Sequence, residues 1–220
     1  TRIGSKFLDS SPGFGGSCFK KDILNLVYLA EYFGLHEVAN FWESVVKINS
    51  WHQNRISKLV VKKLFGTVSG KKIVILGFAF KANTNDTRES AAIQICKDLI
   101  SEGAEIIIHD PKVNPLQIEH DLKVNQSQNN KAHAKQELLN GSGSWKFSKD
   151  LEIFDGSHAV LLLTEWSEYK NINWVEVSKK MIQPGWVFDS RSVIDPISIK
   201  KANLNFWRVG DGSDEENINF

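Results

Sequence analysis

The chain has 220 residues, enough for one full domain and an appendage. Apolar residues make up 41% of the chain and charged residues 24%, as in an ordinary globular protein, and the formal net charge is +1. Such a balance gives no overall field that would attract nucleic acid or a membrane surface. No apolar run is long enough to span a bilayer, so the sequence predicts no membrane partner.

The two cysteines, Cys18 and Cys96, lie in different contexts, one in a glycine-rich loop and one in a helical pattern. We therefore expect no disulfide framework and a cytoplasmic protein, with Cys96 in the core. The six histidines show no metal-ligand spacing, so no metal site is predicted. The chain begins at Thr1 rather than Met and runs straight into motif-dense sequence, which favours a fragment of a longer protein.

Residues 1–22 form a predicted loop with four glycines, and a helical pattern follows Asp22 directly until Gly34. A second helix is predicted over about residues 37–65, which contain neither Gly nor Pro. At 1.5 Å per residue this helix is roughly 40 Å long, more than the edge of a small domain needs. We expect it to bridge domains or to pack against a second subunit.

An aromatic stripe on this second helix favours the second possibility. Phe41, Trp42 and Trp51 belong to it, and a monomer could not cover all three. We therefore predict a homodimer built on the central helix, with residues 1–66 forming the cysteine loop and the dimerisation region.

From Lys71 onward the apolar pattern changes to short runs separated by helical stretches. Strands are predicted at residues 73–76, 104–110, 158–163, 186–189 and 204–209, and helices at residues 91–101 and 174–181. This alternation predicts an α/β fold in which the helical connecting segment precedes a doubly wound, Rossmann-like parallel-sheet domain over residues 71–210. Residues 117–143 are polar and predict a surface insertion, and the acidic residues 211–220 predict a frayed tail.

The first dense motif, residues 13–22, reads Gly-Phe-Gly-Gly-Ser-Cys-Phe-Lys-Lys-Asp. Its glycines allow close approach of the backbone to a ligand. A helix start and the neighbouring Lys20 and Lys21 favour the thiolate of Cys18, which can attack an aldehyde. Asp22 could orient a water molecule or cap the helix. Spacing alone is equally compatible with a small buried cysteine in a glycine turn.

The second motif, residues 77–90, reads Gly-Phe-Ala-Phe-Lys-Ala-Asn-Thr-Asn-Asp-Thr-Arg-Glu-Ser and follows a predicted strand. It lacks the Gly-x-Gly-x-x-Gly fingerprint of dinucleotide sites, which occurs nowhere in the chain. Lys81 and Arg88 lie where ligands bind in doubly wound sheets, and cations there suit phosphates. A surface pair between Arg88 and Glu89 is the alternative.

Both motifs resemble those of the UDP-glucose/GDP-mannose dehydrogenase family, and the resemblance covers nearly the whole chain outside the polar insertion. It implies that Cys18 is the covalent nucleophile, that Asp22 assists water and that Lys81 stabilises oxyanion charge. It implies NAD contacts by Lys21 and Arg88. The residues implied to bind the UDP-sugar are Arg2, Phe14, Gly15, Phe80, Lys81 and Arg191.

Two of these assignments depend on short matches. Arg2 opens an Arg-Ile-Gly-x-Lys-Phe-Leu segment, which by resemblance reaches the substrate site of the neighbouring subunit; a frayed terminal arginine is the alternative. Arg191 ends a Phe-Asp-x-Arg match in which Asp189 is expected to hold the loop. Trp166, in the family-like string at residues 163–166, is expected to pack.

The resemblance implies the C-terminal half of an enzyme that turns UDP-glucose, water and two NAD into UDP-glucuronate and two NADH through a cysteine thiohemiacetal and thioester. This half alone is expected to be inactive. NAD would be bound mainly by an N-terminal domain absent from this chain. One alternative is a non-catalytic UDP-sugar-binding and dimerisation fragment. Dehydrogenases for GDP-mannose or UDP-N-acetylhexosamine remain further alternatives, although the Phe that follows Cys18 favours UDP-glucose.

Overall fold

A computed structural model of the chain describes residue 4, residues 8–123 and residues 143–210. Arg2, the tail at 211–220 and most of the predicted polar insertion lie outside the described residues, so the predictions for them stay predictions. Within the described part, no helix combines the length and apolar character that a bilayer crossing requires.

The first helix, α1 (Phe19–Tyr32), begins earlier than the sequence pattern predicted. The Cys18 carbonyl already accepts a hydrogen bond from the Asp22 N–H at 2.8 Å, which closes the first turn. Asp22 therefore lies inside this turn, and its predicted alternative role as helix cap is wrong. Gly34, with φ 73°, ends the helix and turns the chain back.

The second helix, α2 (His36–Lys63), has 28 residues and so spans about 42 Å, close to the prediction. α1 packs along it, and its C-terminal half packs against the sheet domain through Ile56 and Val60, which are buried. Apolar residues on the outer faces of the two helices stay exposed, among them Tyr28, Tyr32, Phe33, Phe41, Ile48 and Trp51.

Six parallel strands form the sheet of the second part of the chain. They are β1 (Lys72–Leu76), β2 (Glu105–His109), β3 (Ser144–Ser148), β4 (Ala159–Leu162), β5 (Trp186–Asp189) and β6 (Asn205–Arg208). The helices between them are α3 (Ala91–Ser101), α4 (Pro115–Leu122), α5 (Trp174–Lys180) and α6 (Pro196–Lys201). The predicted doubly wound, Rossmann-like domain is confirmed.

Three elements of the sheet domain, α4, β3 and α6, are not among the predicted ranges. α4 overlaps the predicted polar insertion, because the Asn114 side chain caps it by accepting from the Leu116 N–H at 2.8 Å and Ile118 and Leu122 are buried. β3 was not predicted; it is an edge strand with one fully buried residue, Trp145, so its apolar pattern is weak.

The strands run in the order β3-β2-β1-β4-β5-β6, so the direction of winding reverses between β1 and β4. β1 and β4 are continuous apolar runs because both of their faces are buried. In open α/β sheets, ligands bind outside the carboxyl ends of the strands at such a reversal. The loops after β1, β4 and β5 therefore define where a site is expected.

Candidate functional site

A cleft of about 630 Å³ opens at this reversal point, between the sheet and the glycine-rich loop that precedes α1. Its walls include five of the six predicted substrate-binding residues: Phe14, Gly15, Phe80, Lys81 and Arg191. The volume lies in the range of ordinary small-molecule sites. The structure thus gathers residues that are up to 177 positions apart in the chain, from Phe14 to Arg191, around one space.

The loop after β1, which carries Phe80 and Lys81, is held by hydrogen bonds to Asp110. The carboxylate of Asp110 accepts from the N–H groups of Phe78 and Ala79, at 2.8 and 3.0 Å. Phe80 is half-buried, and the exposed Lys81 places its Nζ 5.3 Å from the centre of the Phe80 ring. The ammonium group thus lies at the cleft, where it can meet an anionic ligand.

Arg191 lies deeper and is held by three groups. Its Nε donates to the Leu163 carbonyl at 2.9 Å, its Nη2 donates to the Phe80 carbonyl at 2.7 Å, and Glu165 Oε2 lies 3.4 Å from Nε. Burial lowers the pKa of Arg191, and the charge of Glu165 opposes this shift. Two hydrogen bonds and the facing carboxylate thus give the guanidinium a fixed direction.

Two carboxylates keep Arg191 in place. Asp189 accepts from the N–H groups of Arg191 and Ile194, at 2.9 and 2.7 Å, so it holds the loop after β5 as predicted. Burial raises the pKa of Asp189, and these backbone hydrogen bonds partly oppose the shift. Glu165 was not among the predicted residues; besides facing Arg191, it accepts from the Ala82 N–H at 3.1 Å.

The two dense sequence motifs are in direct contact. The Gly16 N–H donates to the Arg88 carbonyl at 2.8 Å. A Cβ added at Gly15 would lie 2.5 Å from the Glu89 carbonyl oxygen and 3.0 Å from Phe80 Cβ, so no larger residue fits there. The glycines therefore allow close contact with the neighbouring loop, whereas their close approach to a ligand stays a prediction.

α2 supplies the other wall of the cleft through two residues that sequence reasoning missed. Asn49 makes hydrogen bonds to both backbone groups of Phe14, and His52 Nε2 lies 3.0 Å from the Ser11 carbonyl oxygen. The available signal was a polar pair at i and i+3 within an otherwise apolar helical stripe.

Cys18 is exposed and occupies the N-cap position of α1, so the alternative of a buried cysteine in a glycine turn is wrong. Its Sγ lies 3.6 Å from Ser17 Oγ. The expected cations beside it are already paired, Lys20 with Glu89 at 2.8 Å and Lys21 with Asp22 at 3.4 Å. Cys96 is fully buried on α3, as predicted.

Arg88 makes a two-point ion pair with Asp86, through Nε–Oδ1 at 2.9 Å and Nη2–Oδ2 at 2.7 Å. This hydrogen bonding holds the pKa of Asp86 below its usual value. It also raises the pKa of Arg88, to which the nearby Cys18 adds a smaller electrostatic contribution. The predicted alternative, a pair between Arg88 and Glu89, is wrong because Glu89 binds Lys20.

The sheet domain does not fit a dinucleotide in the manner of a Rossmann site. A Cβ at Gly77 would lie 2.3 Å from Thr164 Cβ, so the chain after β1 packs directly against the residues after β4, and the Gly-x-Gly-x-x-Gly fingerprint is missing here. Asp110, which follows β2 where such sites hold a ribose, is occupied by five N–H donors. Lys21 and Arg88, the two predicted cofactor contacts, are exposed. Among the described residues no group of three or more potential ligands could hold a metal ion.

Comparison with known families and proteins agrees with the geometry. Residues 74–196 match the UDP-binding domain of the UDP-glucose/GDP-mannose dehydrogenase family, and residues 1–51 match its central domain. UDP-glucose 6-dehydrogenase 1 of Arabidopsis thaliana is 42% identical over 219 residues, covering 96% of this chain and 44% of that protein. The UDP-glucose 6-dehydrogenase of Drosophila melanogaster is 40% identical over 210 residues, covering 96% of this chain and 43% of that protein.

A solved UDP-glucose dehydrogenase from Pyrobaculum islandicum superimposes with a TM-score of 0.65 and 25% identity, covering 93% of this chain and 40% of that one. The chain thus spans less than half the length of the relatives it matches. The family model for the UDP-binding domain alone covers more than half of the chain, from residue 74 to residue 196. The chain therefore belongs to the UDP-glucose/GDP-mannose dehydrogenase family.

Proposed function

We propose that this chain is the catalytic-cysteine and UDP-sugar-binding part, the C-terminal half, of a UDP-glucose 6-dehydrogenase. One observation carries the proposal: the cleft that gathers Phe14, Gly15, Phe80, Lys81 and Arg191 at the reversal point of the sheet. The relatives that are 40–43% identical bear the name UDP-glucose 6-dehydrogenase, which favours UDP-glucose over other nucleotide sugars.

The charges of the cleft suit the diphosphate of such a substrate. Lys81 offers an exposed ammonium, and Arg191 offers a guanidinium that hydrogen bonds already orient. Phe80 and Phe14 provide apolar surface, and the glycines let a ligand approach the backbone closely. Arg2 of a neighbouring subunit completes the set by family resemblance.

Cys18 would carry the covalent chemistry. Its thiolate attacks the C6 aldehyde, forming a C–S bond and an oxyanion that Lys81 stabilises and that takes up a proton to give the thiohemiacetal. After this adduct is oxidised, Asp22 orients a water molecule that attacks the thioester; the C–S bond breaks, the carboxylate leaves and the thiol is restored. Asp22 lies one helical turn from Cys18, as this role needs.

NAD supplies the hydride acceptor for both oxidations when it is bound. Because the sheet domain does not fit a dinucleotide, we propose that NAD is held mainly by an N-terminal domain outside these 220 residues. Arg88 and Lys21 would then contact it from this side. Arg88 is exposed and close enough to Cys18 to feel its charge, which supports that assignment.

The proposed function also assigns a role to each part of the chain. Residues 1–66 would hold the cysteine loop and the dimer helix, residues 71–210 the UDP-sugar domain, and residues 211–220 a tail. The exposed apolar faces of α1 and α2 support a homodimer. Both cysteines are free, which supports a reducing, cytoplasmic location.

A second candidate is a UDP-sugar-binding and dimerisation module without activity of its own. The missing Gly-x-Gly-x-x-Gly fingerprint favours it for this chain taken by itself. GDP-mannose and UDP-N-acetylhexosamine dehydrogenases share the architecture and form a third possibility.

Two measurements on the purified chain separate these candidates. Calorimetry with UDP-glucose, UDP-N-acetylglucosamine and GDP-mannose should show heat with UDP-glucose first, and absorbance of reduced nicotinamide should stay flat with substrate and NAD present. Affinity should be lower than in a complete enzyme, since the chain spans 44% of the length of its relatives. NADH production that disappears in Cys18→Ala would show that these residues hold NAD after all. No binding of any nucleotide sugar by the folded chain would overturn the proposed function.

A further inference from the structure

The side chain of Asn49 makes a two-point contact with the backbone of one residue in the cysteine loop. Its Oδ1 accepts from the Phe14 N–H at 2.8 Å, and its Nδ2 donates to the Phe14 carbonyl at 3.1 Å. A primary amide is the side chain that can satisfy a backbone donor and a backbone acceptor at the same time, as a neighbouring strand would.

The rest of the loop is shaped to this contact. A Cβ at Gly13 would lie 2.6 Å from Asn49 Oδ1 and 3.3 Å from Gln53 Cγ, and Gly13 has φ 121°, which side-chain-bearing residues rarely adopt. His52 Nε2 lies 3.0 Å from the Ser11 carbonyl oxygen, so the ring donates there. Asn49, His52 and Gln53 share one face of α2, at positions i, i+3 and i+4.

We propose that Asn49 is a positioning residue for the UDP-sugar site: it fixes Phe14 and Gly15 in the conformation that receives the ligand. This inference rests on the proposed function, in which those two residues line the nucleotide-sugar cleft.

The physical reason is pre-organisation. A glycine-rich loop loses much conformational entropy on binding unless it is already ordered, and each ordered element lowers that cost. On its other side the loop is attached by the hydrogen bond from the Gly16 N–H to the Arg88 carbonyl and by one between the hydroxyls of Ser10 and Ser192. Asn49 gives Phe14 its attachment to a 28-residue helix, so the cleft wall inherits the rigidity of α2.

Asn49→Ala tests the proposal, with Asn54→Ala as the matched control. Asn54 lies on the same helix, is exposed, and undergoes the same chemical change, so differences in helix propensity cancel. Calorimetry should show UDP-glucose binding about tenfold weaker in Asn49→Ala and unchanged in Asn54→Ala, the size expected for two lost hydrogen bonds.

Hydrogen exchange provides a readout that needs no ligand. In Asn49→Ala the Phe14 amide should lose protection, while α2 and the sheet keep theirs and the midpoint of thermal unfolding matches that of Asn54→Ala. Asn49→Asp keeps the acceptor for the Phe14 N–H but places an oxygen against its carbonyl, so its affinity should fall between wild type and Asn49→Ala.

The outcomes distinguish the two proposals. Unchanged affinity in Asn49→Ala, or loss of protection spread over α2 and the sheet, would overturn the positioning role. If the wild-type chain binds no nucleotide sugar, the proposed function fails, and hydrogen exchange alone then tests the role of Asn49. A Phe14 amide that stays protected in Asn49→Ala would refute that Asn49 orders the loop. Selective loss of that protection would support it.

Discussion

The guanidinium of Arg191 donates from Nη2 to the carbonyl oxygen of Phe80 at 2.7 Å, although 111 residues separate the two in the chain. This bond joins the loop after β5 to the loop after β1 across the reversal point of the sheet. Arg191 therefore has two tasks in our proposal: it shapes the cleft, and it offers a cation to the ligand.

The substitutions Arg191→Ala and Lys81→Ala should consequently have different effects on stability, although both should weaken ligand binding. Removing Arg191 leaves the carbonyls of Phe80 and Leu163 without their donor and Glu165 without its counter-charge, so we expect a loss of roughly 1–3 kcal/mol in the free energy of unfolding together with loss of UDP-glucose binding. Lys81 is exposed, so its removal should weaken binding and leave the unfolding free energy unchanged.

Urea denaturation and calorimetry on both variants check this contrast. Arg191→Lys is an informative intermediate, because a lysine keeps the charge but cannot donate to both carbonyls in the same geometry. A free energy of unfolding that Arg191→Ala leaves unchanged would show that the loop after β1 does not depend on Arg191.

A homodimer is the second prediction, and it depends on the outer face of α2. Phe41 is 61% exposed and stacks edge-on against Trp42, an arrangement that a partner helix would cover. Light scattering of the chain should give about twice 24.9 kDa. Phe41→Arg should shift the mass toward the monomer.

Ile197→Arg is the matched control for this experiment, since Ile197 is also 61% exposed but lies on α6. It should leave the mass unchanged. A wild-type monomer at high micromolar concentration, or a dimer that Ile197→Arg dissociates and Phe41→Arg does not, would refute the role of α2.

Whether an element could be predicted from the sequence depended on whether local pattern or tertiary contact determines it. The runs at β1 and β5 were predicted within one residue of their bounds, because strands buried on both faces are continuously apolar. β3 was not predicted because its burial depends on pairing with β2, which is a tertiary contact. The α1 boundary was misplaced because a helix begins where backbone hydrogen bonding begins, three residues before Asp22.

The candidate site, too, could be predicted from the sequence only in part. That Phe80, Lys81 and Arg191 would meet follows from one rule, since parallel strands present their carboxyl ends at one edge of the sheet. The polar pair of Asn49 and His52 marked a contact on α2, but what Asn49 binds could not be inferred, because its amide matters only once the loop has adopted the conformation it binds. The alternative pair between Arg88 and Glu89 does not form, and Arg88 pairs with Asp86, because sequence adjacency does not fix side-chain direction.

Stability should also decrease as the pH falls, in a window set by the buried His109 and the half-buried His158. Burial lowers the pKa of both His109 and His158, and the nearby Glu168 only partly opposes this for His109. The unfolded chain takes up protons at its histidines near pH 6.5, whereas the folded chain resists doing so at these two. The unfolded state thus binds more protons, so the free energy of unfolding decreases as the pH falls from about 7 toward 5.

Urea midpoints at three pH values between 7.5 and 5.5 measure this slope. His109→Gln should flatten it, because the amide does not titrate, and His36→Gln, a change at an exposed histidine that begins α2, should leave it as in the wild type. Because the slopes with pH are compared, a loss of stability in His109→Gln that is the same at every pH does not affect the result. A slope that His109→Gln leaves intact would assign the effect to other groups.

The last prediction concerns the two thiols. Cys18 is exposed at the N-cap of α1, whereas Cys96 is fully buried on α3 and burial strongly raises the pKa of its thiol. Iodoacetamide should therefore modify Cys18 faster by roughly 100-fold or more, because Cys96 must wait for the core to open. Peptide mapping after brief labelling reports both sites, and labelling in denaturant, where the two should react alike, is the control for intrinsic reactivity. Equal labelling in the folded chain, or Cys96 first, would mean that the cysteine loop does not expose its thiol, and the nucleophile proposed for this chain would then be out of reach of a substrate in the cleft.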